Sequence, residues 1–290
     1  MKRYALALAV VLTVASFGTA PANKIIDDQN FDFTAAQSLV GQGDWLQHRT
    51  ETDPLIQVVP GALTFGGTGI PATSGNSVQL ITNGLAASGQ AARIVFPGSF
   101  DPTPADGRSY YYSLLLEWDG TAPGDASTYL GGFIGSSSDT STVIRGLIRV
   151  IGDGADVRLG VQLGPTLAEH DTIDVGSNLP VNQPVFVVLK VTEVAGVRND
   201  VAEIFYFPSG AVPASEPAAT ATSQYNGSGS ANQDISETAG AGGLQQFVFR
   251  QFRPGSGNYP GNFKVDALRI GTTWEAVTTA SSNINDWTLY

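Results

Sequence analysis

The chain has 290 residues, 15 Lys+Arg against 26 Asp+Glu, a net charge of −11, one Met and no Cys. That balance argues against nucleic acid or an anionic membrane as partners, because both require a basic footprint. The missing Cys excludes disulfides and thiolate metal sites, so stability has to come from a core and hydrogen-bonded sheets.

In chain order, Lys2 and Arg3 precede an apolar run from Tyr4 to Val14 and then small residues to Ala22. This is the pattern of a cleavable secretory signal peptide, with Ala20-Pro21-Ala22 fitting the small-x-small rule before a cut after Ala22. The run is shorter than the ~20 apolar residues of a membrane span, and no Cys follows it to carry a lipid. Cleavage leaves 268 residues, close to the ~200–250 of large β-sandwiches. It also removes the one Met and takes the net charge to −13. The expectation is an exported protein at the cell surface or outside the cell, without membrane insertion.

The rest reads as short runs of Val, Ile, Leu, Phe and Tyr separated by Gly, Pro, Asn, Asp and Ser, with no helical period. Such spacing predicts an all-β sandwich or barrel. Weaker strands are expected at Leu63–Phe65, Ser77–Ile81 and Ala91–Phe96, and clear ones at Ser109–Trp118 and Tyr129–Gly135. Three hairpins follow: Val143–Ile151 with Asp156–Leu163, Pro184–Val194 with Val201–Phe207, and Leu244–Arg253 with Asn262–Gly271. Alternation sets Val157, Leu159, Val161 and Leu163 on one face, and Val187, Leu189 and Val191 opposite Lys190 and Thr192. Together the inward sets predict one sandwich core.

Pro208–Gly243 has almost nothing to bury and reads as a long surface excursion, with an Asn226-Gly-Ser acceptor pattern inside it. The expected organisation is a leader at 1–22, one sandwich domain at 23–278 and a polar tail at 279–290. Trp287 and Tyr290 in that tail are candidates for docking in an assembly.

Several segments share a pattern: Asn30-Phe-Asp-Phe33, Gly41-Gln-Gly-Asp-Trp45, Val59-Pro-Gly-Ala-Leu-Thr-Phe65 and Ser74-Gly-Asn-Ser-Val-Gln-Leu80 near the start. Near the end come Ser215-Glu216-Pro217 and Phe263-Lys-Val-Asp-Ala-Leu-Arg-Ile-Gly-Thr-Thr-Trp274 followed by Glu275-Ala-Val277. Over most of 31–277 the chain resembles the secreted bacterial concanavalin A-like (laminin G-like) jelly-roll domains. The resemblance implies two stacked, curved antiparallel sheets with the first and last strands side by side. It implies no activity, since the superfold hosts lectins, glycanases, lyases, adhesins and structural modules.

The chemistry that can be sought is limited. A glucanase branch of this superfold carries Glu-x-Asp-x-x-Glu, and Glu117-Trp118-Asp119 supplies the first half only. The alginate-lyase-like Gln-x-His strand is matched by neither His48 nor His170, and two isolated His make no triad. No catalytic residue and no required cofactor is therefore assigned. Calcium is the cation that loop acids suit, and Asp153, Asp156, Asp171 and Asp174 have the spacing. For a glycan or a neighbouring subunit, Arg145, Arg149, Arg158, Lys190 and Arg250 are placed on one polar sheet face, with Tyr111 and Trp118 as aromatic platforms. The leading expectation is a non-enzymatic structural or adhesive subunit of a cell surface, matrix or filament, partnered by copies of itself. A carbohydrate-binding module is the alternative, and a polysaccharide-degrading enzyme using Glu117 is the remote one.

Overall fold

A computed structural model describes residues 24–51, 54–70, 72–82, 88–97, 107–121, 127–135, 144–164, 173–195, 199–224, 244–251 and 261–279. The leader, His170, Asp171, Asn226, Trp287 and Tyr290 lie outside these residues. The strands are β1 (Lys24–Gln29), β2 (Trp45–Gln47), β3 (Gln57–Pro60), β4 (Asn76–Ile81), β5 (Ala91–Val95), β6 (Ser109–Trp118), β7 (Ser127–Ile134) and β8 (Ile144–Asp153). They continue with β9 (Asp156–Gln162), β10 (Ile173–Asn178), β11 (Val185–Thr192), β12 (Val201–Phe207), β13 (Ala221–Gln224), β14 (Gln246–Arg250) and β15 (Asn262–Gly271). One helical turn, α1 (Trp274–Thr278), follows.

The strands form two antiparallel sheets of a jelly-roll-type sandwich. The eight-stranded sheet runs β13-β12-β11-β6-β15-β4-β3, with β1 also pairing β15. The seven-stranded sheet runs β10-β9-β8-β7-β14-β5-β2. First and last strands are thus neighbours, as the resemblance implies.

The alternating sets point as expected. Val157, Leu159, Val161 and Leu163 face Val187, Leu189 and Val191 across the main core, which is lined with aromatics. Phe247 and Phe249 of β14 meet edge-on with centroids 4.9 Å apart, and Trp45 stacks on Phe249 at 5.4 Å. Offset and edge-on aromatic pairs contribute about 0.5–1.5 kcal/mol beyond the area they bury.

Four expectations need correction. Leu244–Arg253 and Asn262–Gly271 are not a hairpin, because β14 pairs β5 and β7 whereas β15 pairs β4 and β6 in the other sheet. A Pro/Gly-rich spacer between two strands reads the same whether the chain turns back or changes sheets. Leu63–Phe65 forms no strand, and its apolar side chains cover the outer face of the eight-stranded sheet. Part of the 208–243 excursion is structured: Val212 is buried and Ala221–Gln224 pairs with β12 as β13.

The fourth correction concerns the core. On the outer face of the eight-stranded sheet, Tyr111, Leu115, Phe186, Val188 and Phe205 are buried under Leu63, Phe65, Val212, Trp274 and Val277. The continuous SYYYSLLLEW run of β6 is the signature of a strand covered on both faces. A third cluster, Ala91, Tyr129, Ile134, Ile144, Leu147 and Val248, occupies the outer face of the seven-stranded sheet.

Buried amides close one end of the sandwich in place of disulfides. Gln90 Oε1 accepts from Ile56 N–H (2.9 Å) and the Ser38 hydroxyl (3.0 Å). Gln251 accepts from Ile81 N–H (2.7 Å) and donates to Pro54 O (2.6 Å). At the other end Ser223 Oγ of β13 accepts from Leu163 N–H (3.1 Å), linking the two sheets. The edge strands β2, β3 and β13 have three to four residues each, and β10 is irregular between Asp174 and Asn178. Short and bulged edges discourage edge-to-edge pairing, so the edges are poor assembly surfaces.

Candidate functional site

The seven-stranded sheet carries a row of polar side chains on its outer face. Arg250 on β14 lies opposite Ala91 on β5, and Tyr129 on β7 lies opposite Arg149 on β8. Arg250 Nη1 donates to Tyr129 Oη. The guanidiniums of Arg250 and Arg149 sit 5.7 and 6.0 Å from the Tyr129 ring centroid. Arg149 also donates to Ser127 Oγ (2.7 Å). One strand further, Arg93 on β5 donates to Gln246 Oε1 (2.8 Å) and Gln47 O (3.1 Å). His48 follows β2, and its backbone N–H donates to Ala91 O (2.9 Å).

The row is closed to solvent: Tyr129 is 2% exposed, Arg149 3%, Arg250 5% and His48 0%. Burial pushes the Tyr129 phenol up, against the pull of Arg250, Arg149 and Arg49. The phenol therefore stays an O–H group at neutral pH, suited to hydrogen bonding rather than to proton abstraction. Burial also pulls the Arg250 guanidinium down, with the Tyr129 contact opposing it. Burial raises the Glu51 carboxyl, but a bond to its own backbone together with Arg49 and Arg250 outweighs it and holds the carboxyl below the usual range. Arg49 Nε lies 3.4 Å from Glu51 Oε1.

The five cations expected on one open face are divided between the two sheets, and Arg145, Arg149 and Arg250 are buried while Arg158 and Lys190 are half-buried. Arg149, Arg158 and Arg250 belong to the outer face of the seven-stranded sheet. Arg145 is 1% exposed and bonds Ile144 O (3.3 Å). Lys190 lies on β11 in the other sheet, between Tyr111 and Glu203 by register. Its Nζ is 2.7 Å from Glu216 Oε1 and 3.2 Å from Glu203 Oε2, while the Tyr111 hydroxyl donates to Glu216 Oε2 (2.6 Å). Burial lowers Lys190, but Glu216 and Glu203 outweigh it and the net shift is upward. Burial first, then the bond to Glu216, push Tyr111 well above an ordinary phenol. Neither aromatic is an open platform: Tyr111 is 5% exposed, and Trp118 is 3% exposed in the main core.

Two of the loop acids, Asp153 and Asp174, are engaged as well. Arg158 pairs with Asp153 (2.9 Å) and Asp174 (2.5 Å), which binds β10 to the β8–β9 hairpin. Asp156 is exposed. Among the described residues no group of three or more His, Asp or Glu is placed to hold a metal. Glu117 pairs with Lys264 (2.8 Å) on the eight-stranded sheet, and Asp119 Oδ1 caps a turn through Thr121 N–H (2.8 Å).

Two of the sequence motifs acquire a physical role. Glu216 of the Ser-Glu-Pro motif clamps the 208–220 segment onto Lys190 and Tyr111. In the closing motif, Asp266 accepts from Leu63 N–H (2.8 Å) and Ala267 N–H (2.7 Å), Thr273 caps α1, and Trp274 donates to Pro213 O (3.0 Å). Tyr129, Arg93, Gln246, Arg49 and Glu51 were not legible as a set. Tyr129 and Arg250 are 121 residues apart, and only strand order joins them.

No family model matches the chain, and no curated protein matches it. Solved structures do. The catalytic domain of a GH131 β-glucanase from Podospora anserina is 14% identical, with 87% of this chain and 99% of that one covered and a TM-score of 0.43. The globular domain of T. cruzi calreticulin is 14% identical over 79% and 84%, TM-score 0.38. The binding domain of botulinum neurotoxin serotype D/C is 10% identical over 79% of this chain and 48% of that chain, TM-score 0.39. The strand order itself places the chain among two-sheet antiparallel sandwiches of the jelly-roll type.

Proposed function

We propose that this chain is an exported, non-enzymatic β-sandwich of the concanavalin A-like kind, acting as a structural or adhesive subunit at the cell surface or in an extracellular matrix. The observation that carries the reading is the use made of its charged side chains. Lys190, Lys264 and Arg158 each bridge neighbouring strands through carboxylates, and Arg250 is bonded to Tyr129. These groups brace a scaffold. Export rests on the Lys2–Ala22 pattern. The test is sedimentation velocity and electron microscopy on protein recovered from the medium or cell surface, with and without calcium. Ordered multimers or retention on the cell surface support the reading; a monomer free in the medium under every condition defeats it.

A further inference from the structure

The first strand, β1, is held by a single neighbour. β4 pairs β15 only as far as Val265, and β1 takes the same side of β15 further on, at Leu268–Gly271, while β6 runs along the other side. Its register is Lys24 with Gly271, Ile26 with Ile270 and Gln29 with Leu268, and it shifts between each pairing and the next. Ile25 and Ile26 are nevertheless both buried in the main core. β1 is thus loosely tied to the sheet, yet an empty seat beside β15 would open the core to water.

The joint behind the strand is strained. Phe31 holds φ +49°, a left-handed conformation that is an outlier for an aromatic residue, and Phe33 N–H turns back onto Phe31 O (2.6 Å). From Phe31 onward the chain is fixed to the body of the sandwich. The Phe31 ring packs on Trp45 and Phe249 with centroids 6.1 and 6.4 Å away, and Asn76 Nδ2 donates to Phe33 O (2.8 Å). Asn30 and the Phe31 backbone are therefore the pivot between β1 and everything that follows.

A short strained hinge next to a core-filling strand favours exchange of that strand between copies. The partner's identical strand refills the seat, every core contact is kept, and only the hinge changes conformation. Pairing along the outer edges is the competing route to association. With three to four residues in β2, β3 and β13 those edges offer little to pair with.

We propose that two copies of this chain form a closed dimer by exchanging β1, each strand pairing with β15 of the other copy while the Phe31 backbone becomes extended. Reciprocal exchange is two-fold and leaves no seat open, so association stops at two. The proposal gives the self-association of a structural subunit a physical route and rests on that reading. The experiment is refolding of the exported chain from urea at low and at high concentration, with light scattering on the separated species. The fraction of dimer rises with concentration. The chain has no Cys, so in the Ile26→Cys/Ile270→Cys variant the one possible disulfide reports which β15 each β1 occupies. In the dimer it joins two chains on a denaturing, non-reducing gel, and in the monomer it closes within one. Gln29→Cys/Leu268→Cys reads the other end of the strand if the first pair does not fold. Inserting Gly-Gly-Ser between Asn30 and Phe31 relieves the hinge and lowers the dimer-to-monomer ratio about tenfold or more at equal concentration. A ratio that the insertion leaves unchanged overturns the proposal. Dimers whose disulfide stays within one chain overturn the exchange and leave the subunit reading standing, as does a chain that is monomeric throughout yet retained on the cell surface.

Discussion

Replacing Asp266 with Ala probes the closing motif directly. The carboxylate is fully buried and accepts two backbone N–H groups, from Leu63 at 2.8 Å and Ala267 at 2.7 Å. The first bond crosses 203 residues and holds the Leu63–Phe65 cover on the outer face of the eight-stranded sheet. The second supports Ala267 at φ +53° in the irregular stretch between Asp266 and Arg269. Alanine leaves both buried donors without this acceptor, at about 1–3 kcal/mol each. The expected loss is about 2–5 kcal/mol, out of the ~5–15 kcal/mol that holds a typical domain folded. For a chain of this size that lowers the melting temperature by roughly 5–15 °C. Asp266→Asn keeps one acceptor oxygen and loses about half as much. Urea unfolding followed by Trp fluorescence measures the change as a midpoint shift at constant slope. Glu275→Gln, an exposed control in α1, stays within about 0.5 kcal/mol. If Asp266→Ala also stays within about 0.5 kcal/mol of the native chain, the reasoning that makes the motif a structural clamp is wrong.

Further outcomes are expected. Gly146→Ala puts a methyl into Val191 Cγ2 and 2.7 Å from Leu189 Cδ2 at φ +58°, so it destabilises by about 2 kcal/mol or more in the same assay. Stability falls above pH 10. Burial raises Tyr110 and Tyr206 to about 12 and also raises Tyr111, Tyr112 and Tyr129, so the unfolded chain sheds these protons first. Lys190, raised in the fold by Glu216 and Glu203, acts in the same direction: its contribution is complete below its unfolded value and is lost as pH rises through the folded one. The tyrosinate absorbance of these five residues therefore rises together with loss of the near-ultraviolet spectrum, and ionisation of all nine tyrosines of the chain in a still-folded protein would contradict it. Tyr129→Phe removes the bond from Arg250 and costs about 1.5–3 kcal/mol of unfolding free energy. Gln251→Ala leaves Ile81 N–H without its side-chain acceptor and costs about 1–3 kcal/mol, seen first as faster hydrogen exchange at Ile81.

By itself the sequence determined the fold class, because inward alternation and turn residues are local properties. The strands Ser109–Trp118 and Val201–Phe207, the two hairpins β8–β9 and β11–β12, and the inward Val157–Leu163 set are all legible that way. Short edge strands such as β2 and β13 hold too few residues to show a period, and they exist only because a neighbouring strand supplies hydrogen-bond partners.

Tertiary structure alone decided which sheet each strand joins, and that assignment governs the candidate site. Lys190 and Arg149 are indistinguishable in sequence, since both are polar residues on alternating strands. The fold puts one against Glu203 and Glu216 and the other beside Tyr129. Periodicity specifies two faces of a strand without saying what covers either. Tyr111 and Trp118 are therefore surface platforms in the sequence and buried side chains in the structure. Covering a face takes segments distant in the chain, here Leu63, Val212 and Trp274, and the free energy of bringing them together appears only once the sheets have formed.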